Sequence, residues 1–172
     1  MDERMVCLPG WHIVRTIGKG SFGTVYEIEK EGEFGSGVRS ALKVISIPET
    51  SAEIEAYRED GYDDVELTAL FKSQMEEIAS EFRLMNKLKS CRNIVSYEDH
   101  MIVRHDHDIG YDIMIRMELL TPLLKFFEQQ LSGTVDEKTV RKLGADICCA
   151  LERCARHNII HRDIKPQNIF IN

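Results

Sequence analysis

An acid, a cation and an amide stand at fixed offsets near the end of the sequence. Asp163, Lys165 and Asn168 belong to the octad 161–168, which reads His-Arg-Asp-Ile-Lys-Pro-Gln-Asn. An aspartate can accept the proton of a hydroxyl group, a lysine can neutralise a phosphoryl group in transfer, and an asparagine oxygen can bind Mg²⁺. We therefore interpret the octad as a catalytic loop for phosphoryl transfer, in preference to a chance surface loop.

A glycine-rich segment near the N-terminus has a spacing that suits phosphate binding. Residues 18–25 read Gly-Lys-Gly-Ser-Phe-Gly-Thr-Val, a Gly-x-Gly-x-x-Gly pattern. Glycines at this spacing let a backbone turn approach phosphates closely and present its N–H groups to them. The alternating residues 25–29 that follow indicate a strand, whereas a Rossmann fold needs a helix there. The pattern predicts a glycine hairpin lying over a nucleotide; a glycine-rich hairpin without a ligand is the alternative.

A lysine stands inside an otherwise apolar predicted strand. Lys43 follows Ala-Leu and precedes Val-Ile, 25 residues after Gly18. A lysine in apolar surroundings needs an anion to offset its desolvation, and phosphate oxygens and a carboxylate could supply it together. The next predicted helix offers Glu76, Glu77 and Glu81, of which Glu81 stands just ahead of an apolar stripe. A solvated helix glutamate is the alternative interpretation.

Five strands are predicted to position these residues. The alternation in 11–45, interrupted by glycines, predicts three strands, with a hairpin loop at residues 32–37 and Pro48 ending the third strand. Residues 94–103 and 111–118 predict two further strands around a polar loop that contains His105 and His107. Together with His100 these histidines resemble a metal cluster in composition, but a solvated loop is the interpretation we prefer.

Three helices and an acidic insertion complete the predicted elements. Apolar residues at spacings of three and four predict one long amphipathic helix over about 66–88, a short helix ending near Gln130 and a longer helix over about 136–156. Residues 49–66 carry eight acidic side chains against the single Arg58, which predicts a solvated surface insertion with at most a short helix. Strands with one helix, followed by helices, indicate an α+β chain in two layers or lobes.

Composition excludes several classes of protein. The chain has 172 residues, 43% of them hydrophobic and 30% charged, and its net charge of −7 argues against a nucleic-acid-binding domain. We find neither a signal peptide nor an apolar run of membrane-spanning length, and we expect a cytoplasmic protein. The five cysteines show no Cys-x-x-Cys spacing, so we expect reduced, mostly buried thiols without a disulfide framework or a zinc site.

Taken together, the three motifs resemble those of the eukaryotic-type protein kinase family. The glycine loop, the strand lysine and the His-Arg-Asp loop occur in the order and at the spacings typical of that family, and the resemblance covers residues 11–172. Segments 93–100, 117–122 and 160–170 look most like bacterial serine/threonine kinases. Lys165, two positions after Asp163, resembles serine/threonine kinases more than tyrosine kinases.

The resemblance implies a fold and an activity. It implies an α+β, protein-kinase-like bilobal fold, with a complete β-rich small lobe in 1–117, a hinge in 118–122 and the first part of a helical large lobe in 123–172. The implied activity is transfer of the γ-phosphoryl group of Mg·ATP to a protein Ser or Thr hydroxyl. The alternative is a non-catalytic nucleotide-binding or scaffold module, and the Lys165–Pro166 pair disfavours a small-molecule phosphotransferase.

The resemblance also implies a role for each site residue. Asp163 would be the catalytic base, Lys165 would contact the γ-phosphate, and Asn168 would hold Mg²⁺. Lys43 would bind the α- and β-phosphates and pair with Glu81. The residues implied to bind ATP are Ile17, Gly18, Lys19, Gly20, Ser21, Phe22, Gly23, Thr24 and Val25 of the glycine loop, Ala41 and Lys43, the gatekeeper Met117, the hinge residues Glu118 and Leu120, and Phe170 below the adenine.

Two features depart from the family pattern. No Asp-Phe-Gly follows Asn168, so we expect an N-terminal fragment that is inactive by itself and exposes the apolar stripe of its helix over 136–156. The acidic insertion places 37 residues between Lys43 and Glu81, more than many kinases have there.

Overall fold

The computed structural model describes residues 8–20, 23–32, 36–89, 91–106, 108–130 and 135–172, without the side chains of Arg83 and Gln130. The strands are β1 (His12–Gly20), β2 (Gly23–Lys30), β3 (Val38–Ile47), β4 (Tyr97–Arg104), β5 (Tyr111–Met117), β6 (Thr121–Pro122) and β7 (Phe170–Ile171). The helices are α1 (Ser51–Glu59), α2 (Asp64–Lys87), α3 (Leu123–Gln130) and α4 (Glu137–Arg156), and a 3₁₀ turn spans Pro166–Asn168.

The chain folds into two compact units. The first contains the residues up to Phe82 together with Glu98–Glu118, and the second contains Arg83–Tyr97 and Leu119–Asn172. The first unit therefore holds the glycine-rich segment and Lys43, and the second holds the octad 161–168. The fold is α+β, as the order of the predicted elements indicates.

The first unit is built on a five-stranded sheet in the order β1-β2-β3-β5-β4. The pairs β1–β2, β2–β3 and β3–β5 are antiparallel. The register places Lys43 opposite Val25 on β2 and opposite Ile115 on β5. Because successive side chains in a strand alternate between faces, Lys43 shares one face of the sheet with its cross-strand partners, and Leu42 faces the other side.

A hydrophobic core covers the face of the sheet opposite Lys43. The segment before β1 supplies Leu8, which packs with the fully buried Leu42 of β3. The buried core residues are Leu8, Ile28, Leu42 and Met114, and the partly buried residues around them are Trp11, Ile13, Tyr26, Val44, Met101 and Val103. The alternation that predicted the strands thus also separates this core from the face that carries Lys43.

The acidic insertion contains a short helix, as the sequence allowed, and one side of that helix is buried. It contains the nine-residue helix α1, which buries Ile54 to 2% exposure. The Tyr57 ring of α1 meets the buried Phe71 ring of α2 edge to face, with 6.0 Å between the ring centroids. The prediction of a solvated segment is therefore correct for its carboxylates and wrong for one side of α1, because two apolar residues among eight acids suffice to dock a short helix.

The predicted long helix is confirmed as α2.

The start of α4 was predicted correctly, but the burial of two of its cysteines was not. Asp136 caps the helix by accepting a hydrogen bond of 2.7 Å from the Thr139 N–H, which confirms the predicted start. Cys154 is buried, as predicted, but Cys148 and Cys149 are exposed, so the prediction of buried thiols is wrong for these two. Each residue advances about 100° around a helix, which turns two consecutive positions after Ile147 away from the apolar stripe.

The apolar stripe of α4 is partly open to solvent in the described structure. Val140 is 54% exposed and Leu151 is 38% exposed, whereas Leu143 and Ile147 are partly buried.

The predicted polar loop between β4 and β5 holds a histidine that is paired with a carboxylate. His105 Nε2 lies 3.2 Å from Asp112 Oδ1, and His107 falls outside the described residues. Within the described ranges no group of three or more His, Cys, Asp or Glu side chains could hold a metal ion.

Candidate active site

The octad 161–168 is anchored at both ends. Helix α4 ends at Arg156 before the octad, and β7 follows the octad and pairs with β6, with Pro122 opposite Phe170. The Leu123 N–H also donates a hydrogen bond of 2.9 Å to the Ile169 carbonyl. Because residues on both sides are fixed, the octad forms a short connection between two ordered elements.

The side chains of Lys165 and Asn168 both contact Asp163 directly. Lys165 Nζ lies 2.9 Å from Asp163 Oδ2. The Asn168 amide donates two hydrogen bonds to Asp163, one of 2.8 Å to Oδ2 and one of 2.9 Å to the backbone carbonyl. The 3₁₀ turn that starts at Pro166 brings Asn168 back toward Asp163, since the Asn168 N–H bonds the Lys165 carbonyl at 2.9 Å.

These contacts keep Asp163 ionised. The hydrogen bond from Lys165, followed by the hydrogen bond from Asn168, lowers the pKa of the Asp163 carboxyl below its usual range. The side chain is 58% exposed, so a solute can reach it. An ionised and accessible carboxylate can accept a proton from a hydroxyl group.

Lys165 and Asn168 retain further capacity for a ligand. A lysine ammonium has three N–H donors, and the Lys165 ammonium contacts Asp163 at a single oxygen, Oδ2. The Asn168 nitrogen is turned to Asp163, which leaves the amide oxygen as its remaining acceptor. Mg²⁺ prefers oxygen ligands and is usually held by one or two protein groups plus substrate phosphates, so the Asn168 oxygen fits such an ion.

The glycine-rich segment forms the predicted hairpin. β1 ends at Gly20, which pairs with Gly23 at the start of β2, and Ser21 and Phe22 lie outside the described residues. Gly23 has a φ of +103°, and a Cβ there would lie 2.1 Å from the Val44 carbonyl oxygen, so only glycine fits. Among the described residues, a Cβ at Gly20 would meet no atom within 4 Å. Gly23 is thus needed for close backbone packing, while the space at Gly20 is open to a ligand.

Lys43 is electrostatically connected to one glutamate of α2. Burial lowers the pKa of the Lys43 ammonium from its ordinary value, and the Glu81 carboxylate opposes that shift. Glu76, another candidate, lies 3.8 Å from Lys72 on the same helix. Glu81 is exposed on α2, and of the three candidate glutamates it is the one whose charge acts on Lys43.

Comparison with known proteins decides the family. The sequence model of the protein kinase domain matches residues 11–172. The chain belongs to the protein kinase domain family.

Three curated relatives of this kinase domain are named as kinases. It is 25% identical over 94% of the chain to a carbon catabolite-derepressing protein kinase of Candida tropicalis, covering 21% of that protein. It is 27% identical over 99% of the chain to Aurora kinase B-A of Xenopus laevis, covering 39% of that protein. It is 26% identical over 98% of the chain to the serine/threonine-protein kinase AKL1 of Saccharomyces cerevisiae, covering 15% of that protein. The chain thus spans well under half the length of these relatives.

The remaining predicted ATP-binding residues of the kinase domain occupy both units. Ala41 is buried at 5% exposure and pairs with Met117, the predicted gatekeeper. Glu118 and Leu120 are partly buried, and Phe170 on β7 is 42% exposed. The structure thus groups Lys43, Glu81, Ala41 and the glycine loop within the first unit, and the octad with Phe170 within the second.

One buried charge in the kinase domain had no signal in the sequence. Glu27 is 2% exposed, although the alternation of β2 gave no reason to expect a buried carboxylate. Arg15 and Arg39, on the two neighbouring strands, neutralise it. Arg15 and Arg39 each lie 12 positions from Glu27 in the sequence, and 24 positions from each other. Only the strand register shows that they meet, so local sequence patterns could not reveal this cluster.

No helix among the described residues combines the length and apolar character needed to cross a membrane.

Proposed function

We propose that this kinase domain transfers the γ-phosphoryl group of ATP to a serine or threonine hydroxyl of a protein. The observation that carries the proposal is the exposed, ionised Asp163 held between Lys165 and Asn168. A loop that fixes an acid, a cation and an amide oxygen within six residues supplies the groups that phosphoryl transfer requires.

The transfer step uses Asp163 as the proton acceptor. The substrate hydroxyl oxygen attacks the γ-phosphorus of ATP, and the bond between that phosphorus and the β–γ bridging oxygen breaks, which releases ADP. The hydroxyl proton passes to the Asp163 carboxylate. The N–H groups of Lys165 that Asp163 does not use neutralise the oxygens of the phosphoryl group in transit.

The groups of the first unit hold the nucleotide. The backbone at Gly18 and Gly20 approaches the phosphates, and the Lys43 ammonium binds the α- and β-phosphates while Glu81 keeps that ammonium charged. Ile17, Val25 and Ala41 line the adenine. Mg²⁺, held in part by the Asn168 oxygen, would neutralise phosphate charge when bound.

Hydroxyl specificity and location complete the proposal. Lys165 two positions after the catalytic aspartate, together with relatives such as the serine/threonine-protein kinase AKL1, supports serine and threonine as acceptors. We place the reaction in the cytoplasm, where ATP is available and exposed thiols such as Cys148 and Cys149 stay reduced.

Labelled ATP tests the proposal directly. The full-length protein that contains this kinase domain is purified and incubated with Mg²⁺, γ-labelled ATP and a generic basic protein, and the labelled amino acid is then identified. We expect label on serine or threonine and none on tyrosine. Asp163→Asn should abolish the label, because an amide cannot accept the proton.

Asp146→Asn is the matched control. Asp146 also lies in the second unit, and a lysine and an asparagine likewise bond its carboxylate, at 2.6 Å from Lys142 and 3.3 Å from Asn93. We expect this variant to keep its activity. Nucleotide binding without any transfer in the wild type would favour the non-catalytic scaffold, and transfer that survives Asp163→Asn would refute the assignment of the base.

A further inference from the structure

A buried carboxylate lies where β1 leads into the glycine loop, and the proposed transfer step does not use it. The Glu27 side chain on β2 is 3% exposed. Arg39 on β3 donates a hydrogen bond of 2.9 Å from Nη1 to Oε1, and Arg15 Nη2 on β1 forms an ion pair of 2.6 Å with Oε2. The Arg15 side chain is 59% exposed and the Arg39 side chain is 54% exposed, so the buried Glu27 carboxylate is paired with two solvated cations.

The pairing of β1 with β2 is irregular on both sides of this contact. The register shifts at Val14 and again at Ile17, each of which is an extra residue in β1. Between these two bulges only Arg15 and Thr16 stay paired with β2. A bulge disrupts the ladder locally, so backbone hydrogen bonds specify the register of this two-residue stretch weakly.

The register of β1 decides where the glycines lie. Beyond the second bulge, Gly18 pairs with Val25 and Gly20 pairs with Gly23. A slip of one residue moves every side chain of a strand to the other face of the sheet. The contact at Glu27 is also adjacent to the adenine-lining position, since Glu27 is paired with Ala41.

We infer that Glu27 is a positioning residue that fixes the register of β1 between its two bulges and thereby places the glycine loop over the nucleotide. The inference rests on the proposed function, because it assigns Glu27 a part in ATP binding. An ion pair suits this task since it is satisfied only when the two charges meet, whereas apolar contacts tolerate sliding. Holding Arg15 and Arg39 at once also ties β1 to β3 through β2.

The first test replaces Glu27 by glutamine in the full-length protein and compares this variant with the same substitution at a neighbouring glutamate. Glu27→Gln removes the charge and turns an amide N–H toward an arginine. Glu29→Gln is the matched control, because Glu29 lies on the same strand and face and is 3.5 Å from Arg39, yet is 27% exposed. We expect the KM for ATP to rise on the order of ten-fold in Glu27→Gln, with kcat within about two-fold of wild type, and both constants to stay within about two-fold in Glu29→Gln.

The second test separates positioning from stability. The triple variant Arg15→Met, Glu27→Leu, Arg39→Met removes all three charges, and apolar replacement of a buried ionic triad often preserves or increases stability. We expect a Tm no lower than that of the wild type, together with the raised KM for ATP and faster hydrogen exchange of the β1 amides.

Each outcome decides the inference. A folded triple variant with unchanged KM and unchanged β1 exchange overturns it, as does loss of kcat at unchanged KM in Glu27→Gln. If the wild type neither binds ATP nor transfers phosphate, the proposed function fails, while the exchange of the β1 amides still shows whether Glu27 fixes the register.

Discussion

The two groups of candidate catalytic residues differ in how the chain brings them together. Asp163, Lys165 and Asn168 lie within six residues, and a single turn brings Lys165 and Asn168 into contact with Asp163. Lys43 and Glu81 lie on a strand and a helix with 37 residues between them. The first group depends on local backbone geometry, and the second depends on how α2 packs on the sheet.

Both groups contain a residue with a lowered pKa, but the physical meaning is opposite. Hydrogen bonds from Lys165 and Asn168 favour the charged form of Asp163, so its lowered pKa reflects a stabilised anion. Burial disfavours the charged form of Lys43, so its lowered pKa reflects a destabilised cation that Glu81 only partly supports. The local group is therefore already satisfied, whereas the long-range group retains an electrostatic cost that phosphate could offset.

The largest expected effect is on the local group. In the full-length protein, Asp163→Asn should lower kcat by about 10²–10⁴-fold with little change in the KM for ATP, because it removes the proton acceptor and leaves nucleotide contacts of the first unit in place. Steady-state kinetics at varied ATP measures both constants. A large rise in the KM for ATP with kcat retained would mean that Asp163 binds nucleotide and does not act as the base.

Lys43→Met should strongly reduce the rate of phosphoryl transfer without lowering the stability of the fold. The ammonium that positions the phosphates is lost, so we expect kcat/KM for ATP to fall on the order of 10²-fold. Because desolvation of the charge exceeds the attraction to Glu81, the Tm should stay equal or rise. Lys72→Met, at an exposed lysine of α2, is the control, and a clearly lowered Tm in Lys43→Met would contradict the electrostatic account.

Glu81→Gln should have a smaller effect, because Glu81 acts through Lys43. Removing the Glu81 charge, which opposes the shift, lowers the pKa of Lys43 further, and we expect kcat/KM to fall on the order of ten-fold. Glu77→Gln, one turn earlier on α2, should leave activity unchanged. If instead Glu77→Gln destroys activity and Glu81→Gln does not, the assignment of the α2 glutamate is wrong by one turn. The pH dependence of Lys43 acylation measures the pKa shift independently.

The smallest expected effect concerns the stability of the second unit. Hydrogen bonds from Thr139 lower the pKa of Asp136, the N-cap of α4. Since the folded-state pKa is depressed, the cap contributes fully above about pH 4 and its contribution is lost as the pH falls through the lower folded value. Asp136→Ala should therefore lower the Tm at pH 7, and the difference from wild type should shrink toward pH 3. Asp60→Ala, at the exposed C-cap of α1, is the control, and an equal loss at both pH values would contradict the linkage.

Local features of the fold were predictable from the sequence for a common reason. The start of α4 at Asp136, the hairpin of the glycine segment and the span of α2 follow from caps, glycines and apolar spacing, which act over one or two turns of chain. The octad is predictable for the same reason, because Lys165 and Asn168 lie close to Asp163 in the sequence and contact it in the structure.

Only the tertiary structure decided which distant residues meet. It buries Glu27 between Arg15 and Arg39, docks α1 through Ile54, and brings Lys43 within the electrostatic influence of Glu81. It also exposes Cys148 and Cys149, which composition had suggested to be buried. These outcomes depend on strand register, helix rotation and the match of surfaces far apart in the chain. A sequence pattern indicates which faces of the helices and strands are apolar. The surface against which each face packs depends on loop closure and on packing between distant parts of the chain, which form together.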